Sequence, residues 1–245
     1  MKIISFRISG SFAAFRDPSV TSNQTVYYIP SKSAVVGILG AMIGIKRSDQ
    51  LGDIYSEEYL DFFKQTSIGI QLESIPKKVV YFTNHRSIKE AKTKPFKTEA
   101  VENPRYTIYV DTEKKYFEKL SNVLTKNEFV YSPYLGHAYC PASVFDVREM
   151  DAKVIDSENE KTKCVVLDES ETIEPNFILK MSPTDDKGSL IIERHIHHFF
   201  NDEKFDGRVL KHWIPTNDSE YEIERDSPRK LSKFYKIGEH SVCMY

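Results

Sequence analysis

Apolar and polar positions along the first half of the chain switch repeatedly between a period of two and a period near four. "KIISFRIS", residues 2–9, alternates from its second position and predicts a strand. Gly10 and Asp17-Pro18 punctuate the loop that follows, and "TVYYIP", residues 25–30, is a short extended segment ended by Pro30. Ser31 or Ser33 then offers a hydroxyl to cap a helix running through Ile45. "SEEYLDFFKQ", residues 56–65, predicts a short helix with an acidic first turn. "SIGIQLES" and "KKVVYFTNHRSI" are β-rich segments joined through Ile75-Pro76, and "RYTIYVDT", residues 105–112, is a clear strand. Tyr116, Leu120 and Leu124 recur at fourfold spacing in residues 113–126, the mark of an amphipathic helix. Strand, helix, strand, strand, then a further strand and helix, predicts an α+β, ferredoxin-like (RRM-like) sheet.

The segments at 77–88 and 105–112 would form a hairpin whose connection, about residues 83–104, is long, cationic and poor in core residues. Connections of that length inside compact domains are usually functional or disordered. From Ala142 the texture changes to short β-like stretches, "SVFDVREM", "AKVID", "TKCVVLDE", "NFILKMS" and "SLIIERHIHHFF", separated by polar, acidic turns. Two regions are expected: residues 1–141, with the basic connection projecting from them, and a smaller β-rich region at 142–245.

Residues 34–45 are twelve consecutive uncharged positions that include Gly37, Gly40 and Gly44. A membrane span needs about 20 predominantly apolar residues, so this run is a buried helix and no membrane is expected as a partner. A phosphate-cradling loop is excluded too, because no Gly-Lys-Ser/Thr follows the glycines. Glycine costs a helix roughly 1 kcal/mol relative to alanine, so three on one face predict close packing against a neighbour.

Composition adds limits rather than function. Hydrophobic residues at 40% and charged residues at 29% are those of a folded globular chain. Cys140, Cys164 and Cys243 are odd in number and widely spaced, which indicates neither a disulfide framework nor a zinc site and fits a reducing, cytoplasmic compartment. The opening "MKIISFRISGSF" is too short and too interrupted by Arg7 for a signal peptide. His195 and His197 would share one face of a strand, two possible ligands without a matching carboxylate, and are expected as polar positions on a half-exposed sheet; no metal and no cofactor is expected.

The net charge of −2 conceals an uneven distribution, with seven Lys or Arg and one Glu in residues 77–97 and a mostly acidic stretch at 151–174. Tyr81, Phe82, Phe96, Tyr106 and Tyr109 are interleaved with Lys77, Lys78, Arg86, Lys89, Lys92, Lys94, Lys97 and Arg105. Cations neutralise phosphates while aromatic faces stack on unpaired bases, so this pattern fits single-stranded nucleic acid; a solvated basic hairpin with core aromatics is the plainer alternative. His85 beside Arg86 could bind phosphate or assist RNA cleavage. Phe12, Phe15 and Arg16 form a smaller aromatic and cationic group in the first loop.

"GSFAAFRDP", "TVYYIPSKSAVVGILGAMIG" and "YLGHAYCPASV" together resemble motifs of the fifth family of CRISPR-associated proteins, the Cas-five subunit of type I Cascade, most nearly its type I-B branch. The resemblance covers the first 145 residues. It implies a ferredoxin-like domain of the RAMP superfamily with a β-hairpin thumb, here at about 83–104. Such a subunit binds the 5′ handle of the crRNA, joins the Cas-eight large subunit to the Cas-seven backbone, and meets target DNA only indirectly. The handle-side surface would comprise residues 10–16 and Ser31-Lys32-Ser33, with Arg16 and Lys32 as phosphate partners. One branch of the family is a metal-independent ribonuclease with a Tyr-Lys-His set; the sequence shows no clear Lys-His pair, and no catalysis is expected. A protein–protein adaptor without RNA is the third possibility.

Overall fold

The computed structural model describes residues 1–20, 24–48, 54–86, 88–155, 159–169, 179–184, 189–201, 204–225 and 232–245. The alternation at the start becomes β1 (Lys2–Ser9), followed by the two-residue β2 (Phe12–Ala13). Ser31 caps α1 (Lys32–Met42), its Oγ accepting from the Ala34 amide at 3.3 Å, and Ser56 caps α2 (Glu57–Gln65) in the same way at 3.1 Å. Then come β3 (Ser67–Leu72), β4 (Lys77–Arg86), β5 (Thr93–Glu102), β6 (Arg105–Asp111), α3 (Lys114–Lys126) and β7 (Ser143–Asp151). The remainder is all strand among the described residues: β8 (Lys153–Ile155), β9 (Asn159–Thr162), β10 (Val166–Asp168), β11 (Leu179–Pro183), β12 (Leu190–Asn201), β13 (Lys204–Pro215), β14 (Tyr221–Arg225), β15 (Lys233–Ile237) and β16 (His240–Met244). The protein is thus α+β, with mostly antiparallel sheets and few helices. The expected strand "NFILKMS" falls partly outside the described residues.

Four strands in the order β3-β6-β1-β7 form the first sheet, every neighbour antiparallel. Ile4, Phe6 and Ile8 face one way and join a core with Val36 and Leu39 of α1, Phe62 of α2, and Leu120 and Leu124 of α3. Ile3 faces the other way, against Tyr235, Val242 and Met244 of the β16-β15-β8 sheet. The end of the chain is stitched to β3 by two hydrogen bonds of 3.0 Å, between Ile68 and Tyr245 in both directions. Gly69 makes this approach possible, because a Cβ there would sit 2.6 Å from Cγ1 of Val242. Two further three-stranded sheets, β10-β13-β12 and β11-β14-β9, complete the β-rich half.

Three expectations change. A break after residue 141 falls inside the first sheet, because β7 pairs with β1 over nearly its whole length. The helix stops at Met42, and its glycines do not form a packing face. A Cβ on Gly37 would meet open space, one on Gly40 would make ordinary contacts at 3.7 Å, and Gly44 lies past the helix with φ +79. Gly44 ends the helix instead, by supplying a left-handed conformation. The histidines are not half-exposed. His195, His197 and His212 are buried in one stack, with His195 on the Tyr27 ring at 3.9 Å and the His197 and His212 Nε2 atoms 2.9 Å apart. Burial pushes the pKa of His195 down to about 3 and holds that of His212 well below its usual value, so both are neutral imidazoles. Among the described residues no group of three or more His, Cys, Asp or Glu is arranged to hold a metal ion.

Candidate nucleic-acid interface

The basic segment folds on itself. β4 and β5 pair from Lys77↔Glu102 to Arg86↔Thr93, so most of the expected connection is strand. The partner foreseen for β4, now β6, lies in the first sheet between β1 and β3. The reason is local: Thr93, Phe96, Thr98 and Val101 favour extended backbone, and lysines between them obscure the pattern without preventing pairing. Ten residues of strand reach roughly 33 Å. Among the described residues, the base is where the hairpin's backbone is tied to the rest of the protein. Phe12 and Ala13 pair with Glu102 and Val101, the Gln24 amide donates to the Lys97 carbonyl at 3.1 Å, and the Glu99 amide donates to the Gln24 carbonyl at 2.9 Å. Thr98, Ala100 and Val101 are buried there.

Beyond the base the hairpin is exposed on both faces. Residues opposite one another share a face, so Phe82, Lys97 and Arg86 lie on one side and Tyr81, Phe96, His85 and Lys94 on the other. Phe82 is 71% exposed. His85 packs on the Phe96 ring at 4.7 Å and makes a 3.1 Å hydrogen bond with Thr83 Oγ1. Arg86, Lys89, Lys92, Lys94 and Lys97 make no salt bridge with a described residue, whereas Lys77 at the base pairs with Glu102 at 3.2 Å. These five cations outnumber Glu90 at the hairpin tip and leave a net positive field around the exposed rings.

The other expected contact residues divide. Arg16 is exposed, makes no salt bridge with a described residue, and bridges to Val26 beside the hairpin base. Phe12 is 43% exposed on β2. Arg105 is exposed opposite Ser9, on the strand leading into that loop. Phe15, in contrast, is 4% exposed and packs edge-on to Tyr106, which is itself fully buried with its hydroxyl donating to the Tyr28 carbonyl at 2.7 Å. Neither ring is available to a base, so both leave the candidate set. Ser31 spends its hydroxyl on the helix cap and on Ser33 Oγ at 3.0 Å. Lys32 is half-buried with its Nζ 5.3 Å from the Phe63 ring centre, and burial pushes its pKa down to about 8.

Two groups beside the hairpin base make contacts that the sequence did not show. Lys78 lies over the Tyr28 ring at 4.1 Å and 3.7 Å from Glu193, whose carboxylate accepts the Tyr28 amide at 3.0 and 3.1 Å and contacts His195 Nε2 at 3.1 Å. Burial pushes Glu193 up to about 7, against the opposing pull of Lys78 and the Tyr28 and Ile29 amides. With His195 neutral, their contact is a hydrogen bond rather than an ion pair. The second group is the turn after α3, docked on the first loop through the Ala14 amide and the Leu135 carbonyl at 2.8 Å. Gly136, at φ +90, could not carry a Cβ, which would sit 2.2 Å from the Ala14 carbonyl oxygen, and a Cβ on Gly10 would lie 2.7 Å from that of Pro141. This contact is why Gly10 and Gly136 stand in two distant motifs. The tyrosine density of "VYSPYLGHAYCP" was the available signal for this surface.

Comparison with known proteins agrees with this architecture. A crystal structure of a CRISPR protein from Archaeoglobus fulgidus superposes with a TM-score of 0.59 at 12% identity, covering 99% of each chain. A chain of a CRISPR RNA-guided surveillance complex superposes with a TM-score of 0.53 at 14% identity, over 87% of this chain and 90% of that one. At such identities the likeness is one of fold. No curated protein matches the sequence. The family model described as CRISPR-associated protein (Cas_Cas5) matches residues 3–228, well past the motifs at the start, and the chain belongs to that family.

Proposed function

We propose that this protein is a non-catalytic RNA-holding subunit of a type I CRISPR ribonucleoprotein, acting in antiviral defence in the cytoplasm. In this reading it caps the 5′ repeat-derived handle of the crRNA and links a Cas-eight large subunit to the Cas-seven backbone, meeting target DNA only through the assembled complex. The carrying observation is the β4–β5 hairpin, where Arg86, Lys89, Lys92, Lys94 and Lys97, none in a salt bridge with a described residue, surround the exposed rings of Phe82, Phe96 and His85. Cations of this kind bind phosphates, and the rings stack on unpaired bases. The hairpin is the thumb of the reading. The order β3-β6-β1-β7, with α1 and α2 between β1 and β3 and α3 between β6 and β7, supports a ferredoxin-like first domain. Its RRM-like sheet face is not the proposed RNA surface, since β15 and β16 pack over part of it.

Purification from the native host with sequencing of bound RNA tests the proposal. The expected outcome is guide RNAs beginning in repeat-derived sequence, together with backbone and large-subunit proteins. Recovery of those proteins without RNA would replace it with the adaptor reading. One observation favours a second reading, a metal-independent ribonuclease: the register sets Lys94 opposite His85, with Tyr81 on the same face. Incubation of pure protein with its repeat RNA in EDTA separates the two, since site-specific cleavage would establish the nuclease.

A further inference from the structure

We infer that Tyr139 is a base-stacking subsite, a fixed aromatic platform for one unpaired nucleobase of the RNA held by the hairpin. This inference rests on the RNA-holding function proposed above and extends it to a surface outside the hairpin.

Three observations carry it. The Tyr139 ring is 59% exposed, yet it is held on two sides. The His137 ring is stacked on one face at 5.0 Å with 8° between the planes, and the hydroxyl of Tyr81 donates to the Tyr139 hydroxyl at 3.3 Å. The backbone beneath is rigid, because the Leu135 amide donates to the Cys140 carbonyl and the Cys140 amide to the His137 carbonyl, each at 2.8 Å, while Gly136 is locked against Ala14.

Position supplies the ligand. Tyr81 shares its hairpin face with Phe96, His85 and Lys94, so the platform continues the surface on which a strand of phosphates would lie. Beyond the hydroxyl it offers to Tyr81, the ring leaves most of its surface in water, where it can receive a stacking partner. A base stacked there would bury the open face without paying to order it. The stack reads no base identity, because every base offers a π-face.

The test uses the full-length protein and a fluorescein-labelled single-stranded RNA carrying the host's repeat-derived handle, titrated at several salt concentrations. Tyr139→Leu should weaken binding roughly 5- to 150-fold. The slope of affinity against salt should stay that of wild type, since no phosphate contact is removed. Tyr139→Trp, which keeps a stacking face, should restore most of the affinity. Wild-type affinity in Tyr139→Leu, with wild-type protein binding well, overturns the subsite and leaves the RNA-holding function standing. Failure of wild-type protein to bind the RNA at low salt overturns both. A loss in Tyr139→Leu that Tyr139→Trp does not restore, with both variants unfolding like wild type, also overturns stacking.

Discussion

Glu193 is a largely enclosed carboxylate, its side chain 10% exposed, that joins the hairpin base to the β-rich half, and its protonation should be visible in stability. The folded protein keeps the Glu193 proton up to about pH 7, while the unfolded chain releases it near 4.5. Between those values stability falls as pH rises, by roughly 3 kcal/mol in all. His195 acts oppositely: the unfolded chain takes up its proton near 6.5 but the folded one only at about 3, so stability falls as pH drops below 6.5. His212 adds in the same sense. In the wild type the Glu193 and His195 slopes largely cancel between pH 4.5 and 6.5. Glu193→Gln removes one of them. Urea unfolding at pH 4.5, 5.5, 6.5 and 8 should show the variant losing ground to wild type toward acid, the gap changing by roughly 3 kcal/mol across the series. Parallel profiles for the two proteins would refute a proton held on Glu193.

The two phenylalanines of the first loop should behave as opposites. Phe15→Ala, which empties a core site beside Tyr106, should cost about 3 to 5 kcal/mol in unfolding measurements. Phe12→Ala should leave stability within about 1 kcal/mol of wild type and weaken RNA binding. Gly136→Ala should destabilise by about 2 kcal/mol or more in the same assay, because a Cβ there meets the Ala14 carbonyl and φ is +90.

Much of the first half was legible because its signals are local. The Ser31 cap, the acidic first turn of α2 and the stripe of Tyr116, Leu120 and Leu124 are complete within a few residues. The hairpin register was not, since β5 carries lysines at positions a pattern search treats as loop, and only pairing with β4 shows Lys94 opposite His85. Phe15 and Phe12 look alike in sequence, yet Phe12 stands exposed on β2 while Phe15, two residues beyond that strand, packs on Tyr106. The histidines misled for a related reason. A polar side chain on an alternating strand suggests solvent, but the Tyr27 and Tyr245 rings enclose these from elements more than thirty residues away. The glycines of α1 invited a packing argument, while the positions where a Cβ has no room are Gly10, Gly69 and Gly136, each facing a segment distant in sequence.

The most direct test of RNA holding is the salt dependence of handle binding in a variant with Arg86, Lys89, Lys92, Lys94 and Lys97 all changed to serine. If all five meet phosphates, the slope of log affinity against log salt should flatten by about 3.5 relative to wild type, with the fold and thermal stability retained. Unchanged affinity and an unchanged slope would contradict the account, because the hairpin would then be a solvated arm and the RNA, if bound at all, would lie elsewhere.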